Sequence, residues 1–203
     1  FLKKKFINNI TGLGYIFLRR NNILKKIILN FYKFIFKKSS YVIFQNISDL
    51  EYFKNLGIVS SRKAIKIPGL GIDINHFNYK NLNNNLNFIM VSRLLIDKGA
   101  VDFFEIAKII KKKYPKSSFT ILGSFDKSIK NSLNFLNYKK MIDNKYVNHI
   151  DHVDDVRKFL SDSSCIISTS YREGFSRILL EALSIGRPII AYDVPGCREM
   201  IKY

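Results

Sequence analysis

From Phe88 onward, short apolar runs alternate with longer amphipathic ones, and this alternation constrains the fold more than any other feature. Runs at 88–92, 119–122, 147–150, 165–168 and 188–192 read as strands. Helical patterns lie between them over about 99–113, 127–140, 154–161 and 176–185, and another helix is expected near Gly196. Pro115 closes the first of these helices, Gly123 stops a strand and Gly186 stops a helix. Strands alternating with helices imply βαβ units, because a parallel pair needs a long crossover. Runs that are apolar on both faces suit strands covered from both sides. The expected class is α/β, with doubly wound, Rossmann-like parallel sheets.

The first 74 residues carry the same pattern more faintly. Ile23, Leu24, Ile27, Ile28, Phe31, Phe34 and Ile35 recur at helical spacing with lysines between them, which predicts a helix over 21–38. A β-rich run follows at Tyr41–Asn46, then a helix capped by Ser48 and stopped by Gly57. Another strand is expected over Lys63–Ile67, ended by Pro68-Gly69. Residues 75–87 are polar and hold seven asparagines, the best linker candidate. The expected domains are 1–74 and 88–203, joined by the linker 75–87.

Charge is uneven. The chain carries 34 Lys and Arg against 16 Asp and Glu, a net +18. Ten basic side chains and no acidic one fall within residues 1–40: Lys3, Lys4, Lys5, Arg19, Arg20, Lys25, Lys26, Lys33, Lys37 and Lys38. Segment 19–38 is therefore a basic amphipathic helix that suits an anionic membrane surface, a nucleic acid, or a domain helix whose apolar side faces the sheet. No apolar run is long enough for a transmembrane helix or a signal peptide. Two cysteines make no disulfide framework. Cys165 reads as a small core residue, while Cys197 has no evident role. The chain begins with Phe1, as a fragment would.

In a doubly wound fold, ligands sit beyond the carboxyl ends of the strands. Arg93 ends one strand and Lys98 opens the next helix, so two cations at one sheet edge suit a diphosphate, or are simply solvated. In YREGFSRILLEALSIGRP (171–188), Ser176 is placed to cap a helix that is apolar on all sides, with Glu181 as its one acidic residue. A buried carboxylate is costly unless paired. Glu173 and Glu181 suit hydroxyls flanking a diphosphate, as in a nucleotide sugar, with the helix N-terminus favouring the anion. The alternative is a capped core helix in which Glu181 pairs with Arg177 or Arg187. NHIDHVDD (148–155) invites a metal, but on a strand its histidines face opposite ways. Gly12-Leu13-Gly14 and Gly69-Leu70-Gly71 are turns without a third glycine, and no P-loop is present.

Four stretches in this order resemble the group 1, or family 4, glycosyltransferases of the GT-B fold: GIDINHF (71–77), VSRLLIDKG (91–99), SYREGFSRILLEALSIGRPIIA (170–191) and VPGCREMI (194–201). Glu173 and Glu181 form the E-x7-E pattern of those enzymes. The wording is most similar to the branch that builds capsule, O-antigen or lipid-linked oligosaccharides, which often transfers galactose or N-acetylgalactosamine. The resemblance implies the later part of an N-terminal domain and most of a C-terminal donor-binding domain. It implies retaining transfer from a UDP-sugar to a lipid-linked or polysaccharide acceptor, by front-face attack and with no obligatory metal or other cofactor. Arg93 and Lys98 match the diphosphate ligands, and Glu173 the carboxylate on the donor sugar. Gly174, Phe175, Ser176 and Arg177 match the loop at sugar and phosphate, and Glu181 the ribose ligand. His152 stands where the family usually has a glycine near the base. The implied location is cytoplasmic, peripheral on the inner membrane face.

Rival readings are a non-catalytic basic membrane-surface module and a sugar-phosphate-type glycosyltransferase of the same fold. A nucleic-acid partner has only the net charge in its favour, with no reading motif, and none is expected.

Overall fold

A computed structural model describes residues 4–18, 23–82, 85–126, 128 and 132–201. Lys3, Arg19 and Arg20 of the basic cluster, and Asn83 and Asn84 of the expected linker, lie outside the described residues. The chain divides into two units: unit 1 is 1–71 with 172–176 and 193–203, and unit 2 is 72–171 with 177–192.

Unit 1 holds a three-stranded parallel sheet in the order β1 (Ile7–Ile10), β2 (Tyr41–Phe44), β3 (Ala64–Lys66). Two helices connect these strands, α1 (Ile23–Lys38) and α2 (Ile47–Asn55). Phe53 is fully buried at the centre of the core, with the rings of Tyr32, Phe36, Phe44 and Tyr52 at 5.3, 5.7, 5.5 and 5.7 Å. Strand β1 was not expected, since INNI puts two asparagines where apolar alternation would signal a strand. Asn8 there donates to Ser39 Oγ at 2.6 Å. The cap of α2 is Asn46, not Ser48. Its side chain accepts from the Asp49 amide at 2.7 Å and donates to the Gly174 carbonyl at 2.8 Å. Helix α1 buries only Phe36 among its residues, and Ile23, Leu24, Ile27, Phe31 and Phe34 are exposed along one side.

Unit 2 is a five-stranded parallel sheet of β4 (Asn87–Val91), β5 (Ser118–Leu122), β6 (Asn148–Ile150), β7 (Cys165–Ser168) and β8 (Ile189–Ala191). The strand order is β6-β5-β4-β7-β8. Its helices are α3 (Ala100–Lys113), α4 (Phe135–Asp143), α5 (Arg157–Asp162) and α6 (Arg177–Ile185). Met90, Phe103, Ala107, Phe119, Ile121 and Ile167 fill the core, and Phe88 stacks on Phe119 at 4.8 Å. All four residues of β7 are buried, as a covered central strand requires.

Two helices start later than their periodicity suggests. Helix α4 begins at Phe135 because Asn134 caps it, accepting from the Leu136 amide at 2.8 Å. Helix α5 begins at Arg157, after a loop that holds Asp154 and Asp155. Nor is α6 buried on all sides: Leu179, Ala182 and Ile185 face the core, whereas Leu183 is 41% exposed. A last short helix, α7 (Pro195–Arg198), lies in unit 1.

Candidate functional site

The strand order of unit 2 creates a switch point. From β4 the chain runs to β5 and β6, then returns to the other side of β4 as β7. A doubly wound sheet takes its ligands at the strand ends beside such a point. Arg93 is exposed two residues beyond β4. Lys98 is half-buried at the end of a single 3-10 turn, Ile96–Lys98. Gly99 then takes a left-handed φ of 72° and starts α3. A Cβ at Gly99 would lie 2.1 Å from the Thr169 carbonyl oxygen, so only glycine allows the two loops to approach this closely. Thr169 Oγ1 donates to the Gly99 carbonyl at 2.8 Å, and the Tyr171 amide donates to the Asp97 carbonyl at 2.8 Å.

Glu181 lies on α6 and is 6% exposed. Arg177, one turn earlier, donates from Nε to Glu181 Oε1 at 2.8 Å. Burial pushes the Glu181 carboxyl above its ordinary value, while the neighbouring guanidinium opposes the shift. The carboxylate lines a cavity of about 570 Å³ with Phe77, Val91, Val153, Arg177 and Ile178. Its walls thus combine apolar surface and one buried acid with the charged side chains of Asp154, Asp155 and Arg157. His152 is on the cavity rim, where its Nε2 lies 3.6 Å from Asp154. Arg187, the other arginine considered for Glu181, is fully buried and donates instead to the carbonyls of Lys80 and Asn81, each at 2.8 Å.

The stretch Glu173–Ser176 belongs to unit 1. The Gly196 amide donates to the Glu173 carbonyl at 3.0 Å. A Cβ on Gly174 would lie 1.7 Å from the Thr11 carbonyl oxygen, so the backbone of this loop lies directly against the end of β1. Phe175 covers Gly69, and Ser176 is buried immediately before α6. Arg172 pairs with the buried Asp49 through Nη2.

His149 is occupied on both ring nitrogens: Nδ1 faces the Tyr138 hydroxyl at 3.1 Å and Nε2 the Gly123 carbonyl at 2.8 Å. Among the described residues, no three His, Cys, Asp or Glu side chains group as a metal site. Cys165 and Cys197 are both buried. His76 and Phe77 also line the cavity. They fall in GIDINHF, whose chemistry the sequence spacing does not reveal. Arg157 forks onto Asp155 at 2.6–3.1 Å and holds that carboxyl down at about 2.

Residues 72–203 match the family model described as glycosyl transferases group 1. The chain belongs to that family. Among group 1 relatives, it is 29% identical over 211 residues to the N,N'-diacetylbacillosaminyl-diphospho-undecaprenol alpha-1,3-N-acetylgalactosaminyltransferase of Campylobacter jejuni, covering 95% of this chain and 54% of that protein. It is 27% identical over 163 residues to the capsular polysaccharide biosynthesis glycosyltransferase CapM of Staphylococcus aureus, covering 79% of this chain and 42% of that protein. The chain thus spans about half the length of the curated relatives it matches. The solved structure of Anabaena HepE in complex with UDP superposes with a TM-score of 0.78 at 17% identity, over 99% of this chain and 57% of that one. The shared architecture is the GT-B fold of group 1 enzymes. Among the described residues, no helix is long and apolar enough to cross a membrane.

Proposed function

We propose that this chain carries the donor-binding part of a retaining glycosyltransferase. The enzyme moves a hexose or N-acetylhexosamine from a UDP-sugar to a lipid-linked or polysaccharide acceptor in cell-surface glycan synthesis. The observation that carries this reading is the cavity beside β4 and α6, where the buried Glu181 carboxylate sits among apolar side chains and the arginines Arg157 and Arg177. UDP in the HepE complex and the lipid-linked acceptor in the name of the Campylobacter relative support it.

In this reading Glu181 accepts hydrogen bonds from the ribose hydroxyls, and Arg93 and Lys98 hold the diphosphate. Glu173 contacts the sugar hydroxyls, and the Gly174–Arg177 stretch approaches sugar and phosphate. The bond from the anomeric carbon to the β-phosphate oxygen breaks as the acceptor oxygen bonds to the same face of that carbon. The acceptor proton passes to the departing phosphate oxygen. Arg93, Lys98 and the N-terminus of α6 stabilise the charge that develops there, and no metal is required. Residues 1–74 correspond in this reading to the later part of the acceptor-side domain.

Calorimetric titration with UDP tests the assignment. Arg93→Ala and Glu181→Ala should each weaken binding at least about tenfold, the worth of a charge-assisted contact. Folded variants that bind UDP as the parent does would sink it.

A second, compatible reading rests on α1. Ile27, Phe31 and Phe34 share an exposed side, Lys26, Lys33 and Lys37 border it by helical spacing, and no acidic residue occurs before Asp49. We propose that this side lies on an anionic membrane surface at the cytoplasmic face. Co-sedimentation with vesicles that ignores both anionic lipid content and salt would remove the electrostatic basis.

A further inference from the structure

Three side chains of unit 2 form a cluster that none of the roles above uses. Tyr171 and Tyr192 both donate their hydroxyls to one oxygen, Asp102 Oδ2, at 2.9 and 2.8 Å. Their rings stack 6.2 Å apart with planes 5° from parallel. Each tyrosine is also held by its backbone: the Tyr171 amide donates to Asp97 O at 2.8 Å, and the Tyr192 amide to Ser168 O at 3.0 Å. Asp102 lies in the first turn of α3, where the helix dipole favours a carboxylate.

The position of the cluster along the chain is informative. Tyr171 and Tyr192 are each the last residue of unit 2 before the chain passes into unit 1. Both departures are thus tied to one carboxylate. That carboxylate sits four residues after Lys98, on the helix that Lys98 and Gly99 introduce. Gly99 alone is a flexible joint, since its left-handed conformation has no side chain to lock it. The Asp102 cluster and the Thr169 bond to Gly99 fasten that joint from the β7 side.

We infer that Asp102 is a positioning residue that fixes the Lys98 end of the donor site by holding Tyr171 and Tyr192. The inference rests on the donor reading above, since it gives Lys98 the diphosphate. Desolvation, reinforced by the hydrogen bond to Asp102, pushes the Tyr192 hydroxyl up to about 12 and raises Tyr171 as well, so both remain donors throughout the neutral range.

The test compares UDP with UMP, which lacks the second phosphate. In the parent chain and in Asp102→Ala, Asp102→Asn and the double variant Tyr171→Phe/Tyr192→Phe, each affinity is measured by calorimetry. Asp102→Ala and the double variant should weaken UDP about fivefold to tenfold, the worth of one or two net hydrogen bonds, and UMP by less than about twofold. Asp102→Asn keeps an acceptor oxygen for the hydroxyls and should stay within about twofold of the parent for both ligands. The double variant retains the Asp102 charge, so its agreement with Asp102→Ala separates positioning from electrostatics. Equal losses for UDP and UMP would reduce the cluster to general stability and overturn the inference. So would unchanged UDP binding in the double variant. A folded parent chain that binds neither nucleotide would overturn the donor reading itself, and this inference with it.

Discussion

Helices α1 and α6 are both rich in apolar residues, yet they meet solvent differently. Helix α6 buries Leu179, Ala182 and Ile185 and carries Glu181 into the cavity wall. Helix α1, nearly twice as long, buries only Phe36 and leaves Ile23 77% and Phe31 63% exposed. Apolar content alone therefore does not say what a helix does. What differs is the polar punctuation. In α6 the lone acid within the helix has one partner, Arg177, whereas in α1 five lysines and no acid occupy the gaps between apolar residues. An apolar helix with a single paired charge points inward to a site, and one edged with unbalanced lysines points outward to a surface.

The largest effect that would sharpen this contrast comes from the core side of α6. Leu179→Ala should cost about 2–5 kcal/mol in denaturant unfolding, because Leu179 is fully buried and leaves a cavity. A loss below about 1 kcal/mol would mean that the core side of α6 is loosely packed. Next comes Asn46→Ala, expected to cost about 0.5–2 kcal/mol as a lost helix cap, with the bond to Gly174 lost besides. Equal stability of Asn46→Ala and the parent would show that α2 does not depend on that cap.

Glu181 makes a subtler prediction. Its folded value is raised, so the native state holds more protons than the unfolded chain in the window just above the ordinary glutamate value. Stability therefore falls as pH rises through that window, and Glu181→Gln should flatten that part of the profile. Arg177 and His76 are the neighbours whose electrostatics oppose the shift. A profile unchanged by the substitution would mean that the carboxyl is solvated in the native state. The smallest effect on stability belongs to α1. Phe31→Ser should change unfolding by less than about 0.5 kcal/mol, yet reduce binding to anionic vesicles. A large loss of stability would show that this side of α1 is packed after all.

Much of the architecture was legible because βα alternation is a local signal. Every strand and helix expected from Phe88 onward is present, and Gly123, Gly186 and Pro115 fall at or just beyond element ends. The misses share a cause. Strand β1 is held by pairing with β2, not by its own INNI pattern. Asn46 and Ser48 are equally good caps by local rule, and what no local rule detects is that the Asn46 amide also reaches Gly174, 128 residues away. The Arg177–Glu181 pair was open in the sequence as one of two arginine choices, and only burial of Arg187 against Lys80 and Asn81 decides between them. The Asp102 cluster joins residues 69 and 90 positions apart, so spacing cannot suggest it.

The bond from Asn46 to Gly174 has a consequence for the order in which the protein is made. Ribosomes release chains from the N-terminus, and domains ordinarily fold as they emerge. Unit 1 cannot follow that order. When residue 171 has been added, all three of its strands exist, but the buried Asp49 still lacks Arg172, Asn46 lacks Gly174, and the Ile47 amide lacks Glu199. The early strands of unit 1 are thus completed only after unit 2 has been made, and that corner stays unsealed until residues 172–199 have emerged.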